Sequence, residues 1–251
     1  ILMGYEYIKH GYAKRMLAGS SEYVDPYVYG AFDSMRVLSR KFNNQPGKAS
    51  HPMSATAGGF VPGSGAGALI LEDLEFAVER GATIYAEILG GSSNSGGQRG
   101  GGSMTAPNPV GVIKSIEDAI GMSNISPDDI DLISGHLTAT MADKQEIQNW
   151  STALQRSGKG FPLINSLKSM IGHCLSAAGS IESVAAILQI KYNFAHPNIN
   201  LDDPNPGILE LIDRECIPAT QVNKDINILA KANFGFGDVN TCLIFSKYKN
   251  K

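Results

Sequence analysis

The chain lacks long apolar runs and an excess of positive charge, and it contains few cysteines. None of its apolar segments approaches the roughly 18 residues that a membrane-spanning helix needs. Its net charge of −3 excludes the strongly basic surface typical of proteins that bind nucleic acids or anionic membranes. Its 3 cysteines are widely spaced, and no pair has metal-ligand spacing. The sequence therefore predicts neither a disulfide framework nor a cysteine metal site, and it favours a reducing compartment, the cytoplasm.

Glycine, by contrast, is abundant, with 28 residues that cluster between apolar segments. Strand-like segments lie at 15–19, 68–71, 83–89, 131–134, 161–165, 226–230 and 240–246. Helical patterns lie at 1–8, 31–38, 74–80, 110–122, 142–157 and 174–193. The glycine-rich segments 48–67 and 90–102 are predicted to be loops. The alternation of strands and helices predicts a layered α/β fold.

Three of the predicted strands are each followed by polar or glycine-rich residues. His136 follows the strand at 131–134, Lys168 and His173 follow the strand at 161–165, and Asn233–Gly237 follows the strand at 226–230. In open α/β sheets, ligands bind at the carboxyl ends of the strands. We therefore expect these three segments to meet at one site.

The residue types in these segments suit the stabilisation of an oxyanion. Two histidines, each predicted to lie between a strand and the start of a helix, provide two N–H donors for one developing negative charge. A helix N-terminus would lower the pKa of each imidazole and keep it neutral. Lys168 would bias a nearby acid or histidine through its charge. Thr138 and Thr140 lie two residues apart, so in an extended loop both would face an amide-bearing ligand.

Each of these residues also has a purely structural interpretation. A single histidine at a strand end is more often structural than catalytic, and Lys168 alone would be a solvated surface charge. Paired threonines would simply cap the next helix. Cys174 is expected to be a small buried thiol, because it cannot face its neighbour His173 on a helix. Glu182 is expected either to pair with a polar group near Lys168 or to lie on the surface.

The order of the motifs resembles that of the β-ketoacyl-acyl-carrier-protein synthases of the condensing-enzyme group. The motifs are His136–Thr140, Lys168–His173 and Asn233–Gly237, and they occur in the family's order. Gly59–Gly67 is similar to the family's glycine-rich loop before a buried strand, and Pro197–Asp202 is similar to the segment after the long helix. The resemblance covers the whole chain and is closest to the elongating synthases.

The resemblance implies a thiolase-like layered αβαβα fold. Residues 1–80 would form the C-terminal part of the N-terminal half, and residues 81–251 would form the C-terminal half. The implied reaction is the decarboxylative Claisen condensation of an acyl thioester with malonyl-carrier protein in fatty acid or polyketide/polyene biosynthesis. The implied partners are an acyl carrier protein and a second synthase chain, in a homodimer or a heterodimer. No resident cofactor is expected, because the phosphopantetheine arrives on the carrier protein.

The resemblance also implies roles for particular residues. His136 and His173 would bind the malonyl thioester oxygen and stabilise the enolate, and Lys168 would tune the electrostatics of that pair. Thr138 and Thr140 would bind the phosphopantetheine arm.

Three further residues would contact substrate from neighbouring loops. The backbone N–H of Phe236 would contribute to an oxyanion hole, and its ring would gate the acyl pocket. Phe234 would join it in substrate binding, and Thr105 would lie in a second mobile loop.

The chain departs from the family pattern at the nucleophile. By resemblance the catalytic cysteine lies upstream of Ile1, since the chain begins within a predicted helix and without an initiator methionine. None of Cys174, Cys216 and Cys242 matches it. We therefore expect the chain to be the C-terminal part of a synthase and to be inactive in condensation alone.

Other departures lie beside the expected site. Leu137 stands where the family has glycine and is expected to crowd the pantetheine tunnel. The segment from His136 to Asp143 is one residue shorter than usual, which leaves the positions of Asp143 and Glu146 open. Asp238 replaces a usual glycine, which suggests a divergent branch.

Two other classes of protein stay open. One is a non-catalytic partner subunit of the chain-length-factor kind, against which the presence of His136, Lys168 and His173 argues. The other is a biosynthetic thiolase or a thiolase-like binding protein. A thiolase would carry a second functional cysteine near its C-terminal glycine-rich loop. Cys242 lies too deep in the last predicted strand for that role.

Overall fold

The structure is a computed structural model that describes residues 1–249, and its helices and strands alternate from residue 2 to residue 165. The strands are β1 (Arg15–Glu22), β2 (Gly65–Glu72), β3 (Glu87–Ser95), β4 (Leu132–Ser134), β5 (Leu163–Asn165), β6 (Phe194–Ala195), β7 (Val222–Asn223), β8 (Ile228–Gly235) and β9 (Val239–Ser246). The helices are α1 (Leu2–Lys9), α2 (Pro26–Ser34), α3 (Leu74–Glu79), α4 (Pro109–Ser123), α5 (Asp143–Leu154), α6 (Lys168–Ile171), α7 (Ala178–Tyr192) and α8 (Pro206–Leu209). Short 3₁₀ turns lie at Pro46–Lys48, Pro127–Asp129, Leu175–Ala177 and Arg214–Cys216.

A five-stranded mixed sheet organises the larger part of the chain, with the strand order β3-β9-β8-β4-β5. Strand β4 runs parallel to both β5 and β8, so these three strands end at the same edge. Strand β9 pairs antiparallel with β8 and with β3. The predicted α/β class is therefore confirmed, and the segments that carry the expected site residues leave the sheet at one edge.

The main core lies between this sheet and helices α4 and α5. Its largest side chain, Trp150 of α5, is fully buried and belongs to the same core cluster as Ile116 of α4 and Ile133 of β4. Leu137 belongs to the same core and is also fully buried. The expectation that Leu137 crowds a substrate tunnel is wrong, because its side chain fills the core.

Helix α7 packs against the five-stranded sheet and against the two-stranded antiparallel sheet of β1 and β2. Small residues permit the close approach: the hydroxyls of Ser20 and Ser180 lie 2.6 Å apart. A Cβ on Gly67 would lie 2.6 Å from the backbone nitrogen of Ile181. A helix covered on two sides buries most of its circumference, which accounts for the lack of a polar face along α7.

The boundaries of β3 differ from the prediction. Residues 83–86 precede the strand, whereas Gly90 to Ser95, predicted as the start of a glycine-rich loop, belong to it. A Cβ on Gly90 would lie 2.7 Å from the Ser123 hydroxyl, and one on Gly91 would lie 2.7 Å from the Leu243 side chain. These glycines therefore permit tight packing of a strand against helix α4 and strand β9, and the pattern was wrongly interpreted as a loop.

Two helices also begin or end elsewhere than predicted. Helix α2 begins at Pro26, where the Asp25 carboxylate accepts a hydrogen bond from the backbone of Val28, and it ends before Arg36, whose φ is 58°. Helix α7 begins only at Ala178, because Leu175 has a left-handed φ of 43°. The segment 172–177 is therefore a connection that ends in the 3₁₀ turn Leu175–Ala177, and it is not the first α-helical turn of α7.

Candidate active site

A cavity of about 1560 Å³ opens where β4, β5 and β8 end. Seven of the eight predicted site residues line it, namely His136, Thr138, Thr140, His173, Phe234, Phe236 and Thr105. The eighth, Lys168, is buried behind the cavity wall with an exposed fraction of 1%. The structure thus brings the predicted residues together from four separate segments.

His136 and His173 form the centre of this cavity wall. Their ring centroids lie 5.2 Å apart, and the ring planes are inclined by 83°. The backbone of His173 is held by the glycine-rich segment: its N–H donates to Val61 (2.7 Å) and its carbonyl accepts from Gly63 (2.9 Å). A Cβ on Gly63 would lie 2.6 Å from the carbonyl oxygen of Ile171, so glycine is needed there. The glycine-rich segment therefore supports the backbone of His173.

Hydrogen bonds define which ring nitrogen of each histidine carries the proton. The backbone N–H of Leu175 donates to Nδ1 of His173 over 3.1 Å. The side-chain amide of Asn233 lies 3.3 Å from Nδ1 of His136, and its Nδ2 can only donate. A neutral imidazole whose Nδ1 accepts carries its proton on Nε2. Both histidines therefore have Nε2–H groups free to donate.

Burial and neighbouring positive charge keep both imidazoles neutral. Burial, followed by the charge of Lys168, places the pKa of His136 well below its ordinary value. The same causes lower the pKa of His173 to about 3. The prediction that helix N-termini would lower these pKa values is wrong, because α5 begins at Asp143 and α7 at Ala178, several residues beyond each histidine.

Three buried charged side chains lie behind the histidines. Lys168 donates to Oε1 of Glu182, and Nζ of Lys231 lies 2.7 Å from the other carboxylate oxygen, Oε2. All three side chains are at most 2% exposed. Burial alone would raise the pKa of Glu182, but the two ammonium groups lower it to about 2. The pairing of Glu182 near Lys168 is therefore confirmed, and the interpretation of Lys168 as a solvated charge is wrong.

Two buried carboxylates of α5 hold the loop that carries His136. Glu146 accepts hydrogen bonds from the backbone N–H groups of His136 and Leu137, each over 2.7 Å. Asp143 accepts from the backbone of Met53 and of three consecutive loop residues, 138–140. Burial raises the pKa of Glu146 to about 7. The shortened loop therefore has two defined anchors whose positions the sequence left open.

The same loop carries the two threonines. Ala139 between them has a left-handed φ of 61°, so the loop turns and is not extended as predicted. The hydroxyls of Thr138 and Thr140 nevertheless lie 3.0 Å apart, and both side chains line the cavity. They therefore form one polar patch on the cavity wall.

Two phenylalanines close another side of the cavity. Phe234 lies within β8, and its buried ring is 6.4 Å from that of His136. Phe236 follows the strand, is 42% exposed, and packs 6.1 Å from the Phe32 ring. The predicted strand 226–230 is thus too short, since Asn233 and Phe234 are part of β8 and only the turn beyond Gly235 leaves the sheet.

Asp238 ties this turn to the segment 96–108 that carries Thr105. Its buried carboxylate accepts from the backbone N–H groups of Asn108 (2.7 Å) and Gln98 (2.9 Å). Its φ of 62° is one that glycine adopts more readily, so the side chain is retained against a backbone cost. Asp238 therefore links two segments of the cavity rim.

We expect Asp238→Ala to release the segment 96–108. Loss of two hydrogen bonds to a carboxylate should raise the rate of tryptic cleavage after the exposed Arg99 about tenfold or more. Asp202→Ala, at a side chain that is 85% exposed, provides the matched control. Equal cleavage rates in wild type and Asp238→Ala would mean that Asp238 does not hold this segment.

Sequence reasoning missed Lys231, which lines the cavity with the histidines. The signal was present: a lysine within the apolar run 228–232 must be paired if it is buried. Because the strand was predicted to end at residue 230, Lys231 was placed outside it. The described residues contain no group of three or more His, Cys, Asp or Glu side chains able to hold a metal ion. No helix among residues 1–249 is long and apolar enough to cross a bilayer.

The mixed sheet, its flanking helices and the paired histidines at the strand ends define an α/β protein with a thiolase-like fold. A solved β-ketoacyl synthase from Burkholderia phymatum STM815 shares this fold, with a TM-score of 0.89 and 32% identity over 98% of this chain and 58% of that chain. A second solved structure is described as a type II polyketide synthase acyl-carrier protein in complex with its ketosynthase bound to the hexaketide. It has a TM-score of 0.90 and 35% identity, and it covers 99% of this chain and 60% of that chain.

Sequence comparison agrees with the fold. The family description "Beta-ketoacyl synthase, N-terminal domain" matches residues 1–77, and "Beta-ketoacyl synthase, C-terminal domain" matches residues 85–202. The chain is 41% identical over 254 residues to 3-oxoacyl-[acyl-carrier-protein] synthase II, chloroplastic, of Arabidopsis thaliana, covering 99% of this chain and 45% of the relative. It is 36% identical to 3-oxoacyl-[acyl-carrier-protein] synthase 2 of Vibrio harveyi, covering 96% and 57%. The chain belongs to the β-ketoacyl synthase family, and it spans about half the length of these curated relatives.

Proposed function

We propose that this chain supplies the decarboxylation site of a 3-oxoacyl-carrier-protein synthase, which condenses an acyl thioester with malonyl-carrier protein in fatty acid or polyketide/polyene synthesis. The observation that carries the proposal is the pair of neutral imidazoles, His136 and His173, each with an Nε2–H free to donate. Relatives named 3-oxoacyl-[acyl-carrier-protein] synthase support the same reaction class.

The chemistry of the step suits this pair. When a malonyl thioester loses carbon dioxide, the electrons of the breaking C–C bond form an enolate, and negative charge accumulates on the thioester oxygen. Two buried N–H donors directed at that oxygen stabilise the enolate more than the neutral thioester. Because both imidazoles are held neutral, they donate hydrogen bonds and do not simply transfer a proton to the oxygen. The enolate carbon then attacks the carbonyl carbon of the acyl thioester, so that a C–C bond forms, the C–S bond breaks and the thiolate leaves.

The rest of the cavity suits a thioester carried on a phosphopantetheine arm. The hydroxyl patch of Thr138 and Thr140 would bind the amides of the arm. Phe234 and Phe236 would contact the acyl chain, with the Phe236 N–H contributing to an oxyanion hole. Thr105 would contact substrate from the tethered segment 96–108. The solved complex of a type II carrier protein with its ketosynthase supports a carrier protein as the partner.

The acyl-accepting nucleophile of this reaction is none of the three thiols of this chain. Cys174, Cys216 and Cys242 are all free and buried. Burial raises the pKa of each, that of Cys242 to about 12, so the reactive thiolate is disfavoured. We therefore infer that the 251 residues alone do not condense two acyl groups.

We also propose an oligomeric state, a cellular compartment and a domain boundary for this protein. A homodimer or a synthase heterodimer is proposed from family membership. Three free cysteines fit a reducing compartment such as the cytoplasm, although the Arabidopsis relatives are named chloroplastic. The division between two halves near residue 80 stays a prediction. Among residues 1–249, no contact specifically favours the alternative of a non-catalytic chain-length-factor-like subunit.

The proposal is tested by incubating the full-length protein with malonyl-carrier protein labelled in its free carboxyl group. Release of labelled carbon dioxide above the uncatalysed rate is expected, together with an acetyl thioester left on the carrier protein. A carrier protein bearing a succinyl group, which cannot form the stabilised enolate on losing carbon dioxide, is the substrate control. Absence of release by folded full-length protein would overturn the proposed reaction.

A further inference from the structure

Lys231 is a buried cation to which the proposed reaction assigns no role. It lies on β8 with an exposed fraction of 2%, between the apolar residues Ala230 and Ala232. Its Nζ lies 2.7 Å from Oε2 of Glu182 and donates to the carbonyl oxygen of Ala232 over 2.5 Å. Burying an ammonium group is costly even when it is paired. A lysine at this point therefore needs both of these partners.

The second lysine changes the net charge behind the histidines. Lys168 and Glu182 alone would form a neutral pair. With Lys231, one carboxylate is shared by two lysine side chains. Burial lowers the pKa of Lys231 and the Glu182 carboxylate raises it; with both lysines protonated the buried cluster carries a net charge of about +1. A positive charge in a poorly solvated region favours negative charge on nearby atoms and disfavours protonation of nearby imidazoles.

Glu182 also connects Lys231 to one of the histidines. Its Oε2 accepts from both Lys231 and the side-chain amide of Asn233, the latter over 3.1 Å. The same amide nitrogen of Asn233 lies 3.3 Å from Nδ1 of His136. Lys231 therefore helps fix the carboxylate that orients the amide, and the amide determines the tautomer of His136.

We propose that Lys231 is a positioning residue of this site, which holds Glu182 in place and adds the positive charge that keeps both imidazoles neutral while an enolate forms. This inference rests on the proposed decarboxylation for its catalytic consequence, but the electrostatic part stands on the geometry alone. The titratable side chains around Lys231 are Lys168 of α6, Glu182 of α7, Glu146 of α5, Cys242 of β9 and the two histidines themselves, His136 and His173. Of these, only Lys168 carries the same charge.

The test compares wild-type full-length protein with Lys231→Met, which removes the charge but keeps an unbranched chain. Decarboxylation of malonyl-carrier protein should fall about tenfold, and the acidic limb of its pH profile should move to higher pH by about one unit. The direction follows because one cation fewer raises the pKa of both imidazoles. Lys114→Met, at a 66% exposed side chain, is the control and should change neither the decarboxylation rate nor the acidic limb of its pH profile. Lys231→Arg retains the positive charge, so the acidic limb of its pH profile should stay at the wild-type pH.

A second measurement does not depend on activity. NMR titration of the ring nitrogens in ¹⁵N-histidine-labelled protein should show higher pKa values for His136 and His173 in Lys231→Met than in wild type. Lys231→Gln, whose neutral amide keeps a hydrogen-bond donor, makes the same comparison if the Met variant does not fold. Unchanged histidine titration in a folded neutral variant would overturn the inference. Wild-type protein that does not decarboxylate, with shifted titration in the variant, would overturn only the proposed reaction.

Discussion

His173→Ala is expected to lower decarboxylation of malonyl-carrier protein by roughly 100- to 1,000-fold, the usual cost of removing one donor to a developing oxyanion. The His173 ring is half-buried in the cavity wall and its Nδ1 is already occupied by the Leu175 N–H, so its Nε2–H is the group free to act on substrate. His136→Ala should have a similar effect, because the Asn233 amide occupies Nδ1 of that ring in the same way. Carbon dioxide release under single-turnover conditions measures both variants directly.

His10→Ala provides the matched control, since that ring lies on the surface at the end of α1. It should leave the rate unchanged. The double variant His136→Ala/His173→Ala should be little slower than either single variant, because the two donors act on the same oxygen. A single histidine variant that is folded and retains wild-type decarboxylation would contradict the role assigned to that residue.

Glu182→Leu should lower the free energy of unfolding by roughly 3–5 kcal/mol, because it leaves two buried ammonium groups without their shared counter-ion. The carboxylate lies between Lys168 and Lys231 with an exposed fraction of 2%, so water cannot replace it. Urea unfolding at neutral pH, followed by circular dichroism, measures the loss. Glu117→Leu, on the exposed side of α4, should change stability by less than about 0.5 kcal/mol.

The pH dependence of this effect has a defined sign. In the wild type, the folded-state pKa of Glu182 is about 2, below its value in the unfolded chain. Its stabilisation is therefore fully present above pH ~4.5 and is lost as the pH falls toward 2. In Glu182→Leu, Lys231 keeps the burial that lowers its pKa and loses the carboxylate that raises it, so stability should instead rise as the pH increases above neutral. If Glu182→Leu is as stable as wild type at pH 7, Glu182 does not stabilise the fold as the counter-ion of the two buried lysines.

Much of the site was predictable because short segments placed at strand ends carry it. The strands before His136, Lys168 and Phe236 were recognisable from apolar runs, and parallel strands that end together bring their following loops to one edge. Each histidine follows one of two strands that end at the same edge of the sheet, so their proximity could be predicted. Stabilisation of an oxyanion could be predicted because two neutral imidazoles provide two N–H donors.

What escaped prediction depends on contacts between residues far apart in the chain. The partner of Lys231 is Glu182, which lies 49 positions earlier in the chain, on α7. Without that partner in view, a lysine is not expected inside an apolar strand, and the strand is predicted to end at residue 230. Gly90 looked like a loop residue because the neighbouring α4 backbone that requires a glycine there is not visible locally. The pKa values of the histidines follow from burial and from charges behind them, which no local pattern reveals.

The most direct test of the paired-donor site is the ring protonation of His136 and His173 in wild-type protein at neutral pH, read from ¹⁵N chemical shifts of histidine-labelled samples. Alanine variants at each position assign the signals. The geometry predicts two neutral rings, each with a protonated Nε2 and an unprotonated Nδ1. A charged ring, or a proton on either Nδ1, would contradict the arrangement of two Nε2–H donors on which the proposed reaction depends.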